Sequence, residues 1–458
     1  MVVGLGCSAS APHEAPPVSV LIVVVDTLRA DHLGTYGYPI PTSPNVDALA
    51  AGGAKFTRAY AAAPWTYSSV ASLFTGLLPA AHGAVLPGLV KNEAKDPVVV
   101  PLGADFSTMA ERFAAAGFQT ALFARNGYLG HGNEQGFATY ENPKRSRAAD
   151  QAKRAVAWLE TVPTATPFLL AVHMMDVHVP NRPTSASRAL FPAIAALADE
   201  ERDRVERFRV RFGGADDPAG AMFRTRRTAM YDASIRDVDT AIGRLLAGLG
   251  ERRRNTLVVI TADHGESLWD HDELERSLYS DPRRLRGVGH GQAFFEEVER
   301  VPLIVSLPGA IPPATHSEVV SLVDVLPTLL EQLGLAAAEN IDGRSLVPLW
   351  KGAALPGRPA VFDSVCFGRD KQGILEFPWK FTRSNAEPDL LVNLDDDPGE
   401  HANVASLHPE QAARLAAALD IELARSRARG EGLRSPSVSG VVPALDEHEE
   451  LKELGYVE

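Results

Sequence analysis

An apolar run at 18–25, VSVLIVVV, broken only by Ser19, leads straight into Asp26. A run without alternation predicts a strand covered on both faces, as in a parallel sheet. Asp26 then stands at the C-terminal end of that strand, where open α/β sheets place their ligands. Two later segments repeat the arrangement. PFLLAVHMMDVHVP at 167–180 predicts a buried strand ending in a polar cluster, and TLVVITADHGESL at 256–268 one ending in Asp263, His264, Gly265 and Glu266. TALFA at 120–124 is a further strand, followed by Arg125 and Asn126. Elsewhere the apolar spacing is helical, at 45–51, 68–74, 107–116 with Ser107 as cap, and 147–160. Met230, Ile235, Val238, Ile242, Leu245 and Leu246 mark one long helix over 222–249. Beyond 355 the runs shorten. VFDSV, GILEFPWKFTRS and DLLVNLDDDPGEHANVA predict short strands with Gly, Pro and Asp turns, before a helix at 408–427 and a polar tail.

The helix at 68–74 carries the first candidate chemistry. Thr66 sits just before it, where a hydroxyl serves as N-cap. The free amides and dipole of a helix start favour an anion. A hydroxyl beside an anion site is what ester cleavage by a side-chain nucleophile needs. A capped helix without chemistry is the plainer reading of an isolated Thr.

Composition narrows the classes. The 458 residues are 45% hydrophobic and 22% charged, an ordinary globular balance. A net charge of −13 argues against a nucleic-acid backbone as partner, which calls for clustered Lys and Arg. Cys7 and Cys366 are too few for a disulfide framework or a Cys metal site. No apolar run approaches the ~20 residues of a membrane helix. Residues 1–17 run from an apolar start through Cys7 into a Ser/Ala/Pro linker, similar to the tail of a bacterial lipoprotein signal. A lipid anchor on Cys7 and export to the periplasm or cell envelope are one expectation; a short tail is the other. The charge-dense stretch within 184–221 is a solvated face, or a lid over a pocket.

With its neighbours, the stretch APWTYSSVASLFTGLLPAAHG at 63–83 resembles the nucleophile segment of the sulfatase family, within the alkaline phosphatase superfamily. That pattern is Cys or Ser, any residue, Pro, Ser, Arg, then Leu-x-Thr-Gly. Leu73, Thr75 and Gly76 set the register, which puts Thr66 at the Cys/Ser position and Ser69 at the Ser. Ser68 replaces the Pro, Val70 replaces the Arg, and Thr66 cannot become a formylglycine. DTLRADHLGTYGY resembles the family's first metal segment, with Asp26 as ligand and Thr27 where many members have a second Asp. Arg29 and Asp31 are turn and packing residues on this reading. Asp263 and His264 match the second metal segment. Arg125 falls where the family delivers a Lys to the pocket, with Asn126 beside it. The HxxDxHxP segment makes His178 a contact of the substrate's anionic group and Asp176 a further substrate-binding residue. His173 in that segment is expected to be a satisfied core histidine. His290, ahead of an Arg-Val-Pro strand, takes the place of a pocket Lys or His; His271 is expected to be a loop histidine and His82 structural.

The resemblance covers 18 to about 425, apart from 184–221. It implies an α/β, alkaline-phosphatase-like sandwich: a large, mostly parallel sheet flanked by helices, with a small antiparallel C-terminal sheet and helix. The expected divisions are 1–17, a catalytic domain at 18–355, and a C-terminal subdomain and tail at 356–458. It implies one divalent metal held by Asp26, Thr66, Asp263 and His264. Zn or Mn suits one imidazole with few carboxylates; Ca or Mg is the alternative. Thr66 is then the nucleophile, His178 and His290 assist it, and no formylglycine is expected. The substrate is a small-molecule, glycan or lipid ester, with phosphate favoured over sulfate. The rival readings are a true sulfuric ester hydrolase and a catalytically impaired binding protein on the same fold.

Overall fold

The computed structural model describes residues 18–86, 98–195, 218–279, 287–433 and 442–443. Cys7, with the rest of 1–17, and the centre of the charge-dense stretch, 196–217, lie outside the described residues.

The first apolar run forms β1 (Ser19–Val25), buried along its whole length. Seven further strands complete its sheet. They are β2 (Ala54–Tyr60), β3 (Gln119–Phe123), β4 (Thr139–Glu141), β5 (Phe168–Met174), β6 (Thr256–Ala262), β7 (Arg300–Ser306) and β8 (Ala314–Ser321). The spatial order is β8-β2-β7-β6-β1-β5-β3-β4. Every neighbouring pair is parallel except those of β7, which runs antiparallel between β2 and β6. The three central strands β5, β1 and β6 are buried throughout, which is why their sequences run apolar without alternation. Helices cover the sheet, including α1 (Pro44–Ala51), α2 (Thr66–Thr75), α3 (Met109–Ala115), α4 (Ala148–Thr161), α5 (Pro218–Gly248) and α6 (Val325–Gln332). This is the expected α/β architecture.

Register decides what meets at the sheet's C-terminal edge. Val25 lies beside Met174 on one side and Ala262 on the other. The Asp26 amide donates to the Met174 carbonyl at 2.9 Å, so the next residues of all three strands emerge together.

A second, antiparallel sheet follows, in the order β9 (Ala360–Phe362), β10 (Lys371–Glu376), β11 (Trp379–Ser384) and β12 (Leu390–Asn393). The helix α7 (Pro409–Leu433) lays Leu415, Leu419 and Leu423 on it, against Ile374, Phe381 and Leu391. Spacing of four residues puts those leucines on one helix face. Phe294 and Phe295 from the large sheet's side pack with Phe362 and Leu375 of the small one.

Two helix starts differ from expectation by one residue. Thr108, not Ser107, caps α3, because its hydroxyl accepts from Glu111 N–H and the Glu111 carboxylate accepts from Thr108 N–H. Thr66 is the first residue inside α2, and the N-cap position falls to Trp65, whose side chain makes no capping bond. The Thr66 hydroxyl is therefore turned to other partners. Gly76 ends α2 in the left-handed region at φ +71°, the conformation that favours glycine at a helix terminus.

Candidate active site

The three strand ends and the start of α2 converge on one buried cluster. Asp26, Thr66, Asp263 and His264 are all 0% exposed. The Thr66 hydroxyl lies 3.2 Å from Asp26 Oδ2, to which it donates, and 3.4 Å from His264 Nε2. His264 Nε2 is 3.8 Å from Asp26 Oδ1 and 3.8 Å from Asp263 Oδ2. Ser69 Oγ donates to the Asp263 carbonyl, tying α2 to the end of β6. The glycine of Asp-His-Gly has a packing cause. A Cβ at Gly265 would come within 1.9 Å of the Glu297 carbonyl, so only glycine lets the two backbones meet.

His173 joins this cluster, contrary to its expected role as a satisfied core histidine. Its Nε2 is 3.2 Å from Asp263 Oδ2 and 3.8 Å from Asp26 Oδ2, and its Nδ1 has no hydrogen-bond partner among the described residues. Asp26, His173 and Asp263 can each offer one ligand atom within 4.8 Å of the others. Thr27 turns away instead. Its backbone is left-handed at φ +58°, its hydroxyl donates to the Asp26 carbonyl, and its amide is 3.3 Å from Asp263 Oδ1. Tyr231 on α5 holds that turn, donating to the Thr27 carbonyl and accepting from Arg29 N–H.

The electrostatics of the cluster favour a cation. Burial first, and the Asp263 carboxylate second, push the Asp26 carboxyl up to about 7. Burial would also raise Asp263, but His264 and then His173 hold it well below the usual range. Asp26 Oδ1 is buried without a hydrogen-bond partner. Two carboxylates, two imidazoles and a hydroxyl fit a divalent ion of intermediate softness.

The remaining expected site residues separate into two groups. His290 and His178 adjoin the cluster. The His290 ring centre is 4.4 Å from His264 and 5.0 Å from His178. His290 Nδ1 is 3.3 Å from Glu266 Oε1, and His178 Nδ1 donates to the Val179 carbonyl at 2.5 Å. Burial, then the neighbouring His290, pushes the His178 imidazole down to about 3, so it is neutral at pH 7. Asn126 is also inside, its amide 3.4 Å from Asp26 Oδ2 and its carbonyl accepting from Tyr128 N–H. Arg125 and Asp176 instead line a cavity of about 420 Å³ that reaches His178. There Arg125 Nε donates to the Lys144 carbonyl, and Asp176 accepts from Ala148 N–H at the start of α4. A larger cavity, about 660 Å³ and lined by Tyr38, Pro41 and Lys55, includes none of these residues.

The two residues that replace motif positions have structural explanations. Val70 packs into the main core, and Ser68 Oγ donates to the Ala84 carbonyl. Arg29 is buried and bonded to Asp31 and Asp270, as a packing residue. His82 Nδ1 accepts from Ala84 N–H, a structural role.

His271 does lie in a loop, at the turn before the helix that begins at Asp272, but it is not a free one. It is buried, stacked 4.2 Å from Phe295, with Nδ1 2.8 Å from Glu297 Oε1 and Nε2 bonded to the Gly399 carbonyl. It thus joins the two sheets. Burial opposes its charge, but the Glu297 carboxylate outweighs that and raises the imidazole to about 9. A raised histidine contributes in full below its unfolded value near 6.5 and loses the contribution as pH rises through 9. Against His271→Gln, the native protein should therefore lead by up to about 3 kcal/mol at pH 6 and by little at pH 10. Urea denaturation at both pH values checks this; a pH-independent gap would refute the ion pair.

A family model described as Sulfatase matches residues 19–335, and one described as N-sulphoglucosamine sulphohydrolase, C-terminal, matches 290–429. Arylsulfatase A of Homo sapiens is 29% identical over 451 residues, covering 86% of each chain. Choline-sulfatase of Rhizobium meliloti is 26% identical, covering 84% of this chain and 82% of that one. Among solved structures, phosphonate monoester hydrolase of Agrobacterium radiobacter superposes with a TM-score of 0.68 at 22% identity, covering 93% and 99% of the two chains.

Proposed function

The chain belongs to the sulfatase family of the alkaline phosphatase superfamily and is an ester hydrolase; from that premise we propose that it cleaves phosphate or phosphonate esters with Thr66 as nucleophile. The observation that carries this reading is the Thr66 hydroxyl, 3.2 Å from Asp26 and 3.4 Å from His264 at the rim of a buried carboxylate–imidazole cluster.

Asp26, His173, Asp263, His264 and the Thr66 oxygen would hold one divalent ion. Its two imidazoles favour Zn²⁺ or Mn²⁺ over Ca²⁺. Such an ion supplies Lewis-acid charge and lowers the pKa of an oxygen that it binds. The protein's own groups do the rest. Asp26 Oδ2 accepts the Thr66 proton along the existing hydrogen bond. The Thr66 oxygen attacks phosphorus in line, the Oγ–P bond forms, and the bond to the leaving oxygen breaks. His290, supported by Glu266, gives that oxygen its proton. His178 is neutral and serves by orientation, beside His290. Water then opens the phosphoryl-Thr: it gives a proton back to His290, its oxygen bonds to phosphorus as the Oγ–P bond breaks, and Asp26 returns its proton to the Thr66 oxygen.

Thr favours phosphorus for a chemical reason. A formylglycine hydrate expels sulfate by elimination, and a Thr ester has no such route. It must be opened by direct attack, for which a phosphoryl group, with more charge for the site to hold, is better suited. The second reading is sulfate-ester hydrolysis, favoured by the 29% identity to arylsulfatase A. Comparison of 4-nitrophenyl phenylphosphonate and bis-4-nitrophenyl phosphate with 4-nitrophenyl sulfate, with Mn²⁺ or Zn²⁺ added, decides between them. The phosphorus esters should turn over faster. A Thr66-dependent preference for the sulfate would overturn the phosphate reading, as would an aldehyde in the peptide spanning 63–76.

A further inference from the structure

The cavity beside His178 is basic on an acidic protein. The chain carries 58 Asp and Glu against 45 Lys and Arg. Yet Arg125, Lys144, Arg145, Arg147 and Arg182 all line this one space of about 420 Å³. Asp176 is the single acidic residue among them; its carboxylate accepts from Ala148 N–H, and burial raises its pKa against the opposing charges of Arg125 and Arg147. Arg125, Lys144, Arg147 and Arg182 make no ion pair among the described residues. Arg125 and Arg147 use one N–H each on the Lys144 and Arg182 carbonyls, which gathers the segments at 144–147 and 180–182 around the opening. His178 is part of the same lining, and the rings of His290 and His264 continue from it to Thr66.

A surplus of cations around a concave site concentrates anions, because the low-dielectric walls focus their field. The ester to be cleaved is already provided for at Thr66. We infer that this cavity binds a second anionic group of the substrate, a carboxylate, sulfo or phosphoryl group on the part of the molecule that does not react. The substrate class is thus an ester that carries at least one further negative charge, and Lys144 and Arg182 are specificity residues. This inference rests on the proposed anion site at Thr66.

Binding of unreactive probes tests it without reference to turnover. Phenylphosphonate offers one anionic group, and 3-carboxyphenylphosphonate adds a second. Calorimetry on the Mn²⁺-supplemented full chain at ~50 mM salt should show the carboxylated probe binding about tenfold more tightly, given two or more partly exposed charge contacts. In Lys144→Gln/Arg182→Gln the two probes should converge to within about twofold, and ~0.5 M salt should narrow the gap in the native protein. Equal affinities in the native protein, or an advantage that survives the double substitution, overturns the inference and leaves the Thr66 site standing. Failure of both probes to bind overturns it together with the function it rests on.

Discussion

Thr66→Ala should abolish turnover, lowering kcat by about 10⁴–10⁶-fold, the scale seen when a hydrolase loses its nucleophile. Among the hydroxyls of α2, Thr66 alone faces the cluster at hydrogen-bonding distance from a carboxylate and an imidazole. Ser68 and Ser69 are each spent on a backbone carbonyl. Neither neighbour can substitute without breaking a buried bond. Loss of a single buried methyl and hydroxyl at a helix start should cost little stability. The variant should therefore unfold within a few degrees of the native protein. Thr66→Ser keeps the hydroxyl and should retain activity within about tenfold. A Thr66→Ala protein with native rates would sink the mechanism.

The second large effect belongs to the proposed metal centre. Asp263→Ala should remove stoichiometric Zn²⁺ or Mn²⁺, measured by elemental analysis after equilibrium with a weak chelator. Asp263 is the hub: its carboxylate faces His173 at 3.2 Å, His264 at 3.8 Å and the Thr27 amide at 3.3 Å. His173→Ala removes one imidazole and leaves both carboxylates. It should weaken binding by about 10²-fold or more and shift selectivity toward Mg²⁺ and Ca²⁺, which prefer oxygen ligands. His173→Asp should strengthen that shift. Unchanged metal content in both Asp263→Ala and His173→Ala would remove the centre from this cluster. Retained content in His173→Ala alone would return His173 to the role of a packing residue.

Much of this was legible in the residues. The runs at 18–25, 167–174 and 256–262 state their burial outright, and each ends in the polar residues that meet at the sheet edge. Asp26, Thr66, Asp263 and His264 come together in the structure as their order along the resemblance implied. His173 escaped for a physical reason. In a strand covered on both sides every side chain is buried, so alternation cannot tell a core face from a site face. Only the register, Val24 beside His173, shows that its ring reaches the carboxylates. The signal available was the missing carboxylate at Thr27, which asks for a replacement from a neighbouring strand. His271 escaped because its partners, Glu297 and Gly399, belong to segments distant in sequence. The one-residue errors at Ser107 and Thr66 are errors of capping, where adjacent hydroxyls compete and tertiary contacts decide.

The position of β1 at the middle of the sheet has a consequence for how the chain is made. Ser19 pairs with Thr256 and Val20 with Leu169, so β1 has no partner for its pairing edges until well over a hundred further residues exist. Until then SVLIVVV is an uncharged, proline-free, β-branched segment of the kind that self-associates. Contacts of such separation also form slowly, because loop closure precedes any gain. Expression at high rate should therefore send this protein into inclusion bodies through its own central strand, and fragments that stop before Ala262 should be insoluble. Slower synthesis or chaperone capture of residues 19–25 is the remedy the topology points to, ahead of any change to the protein's surface.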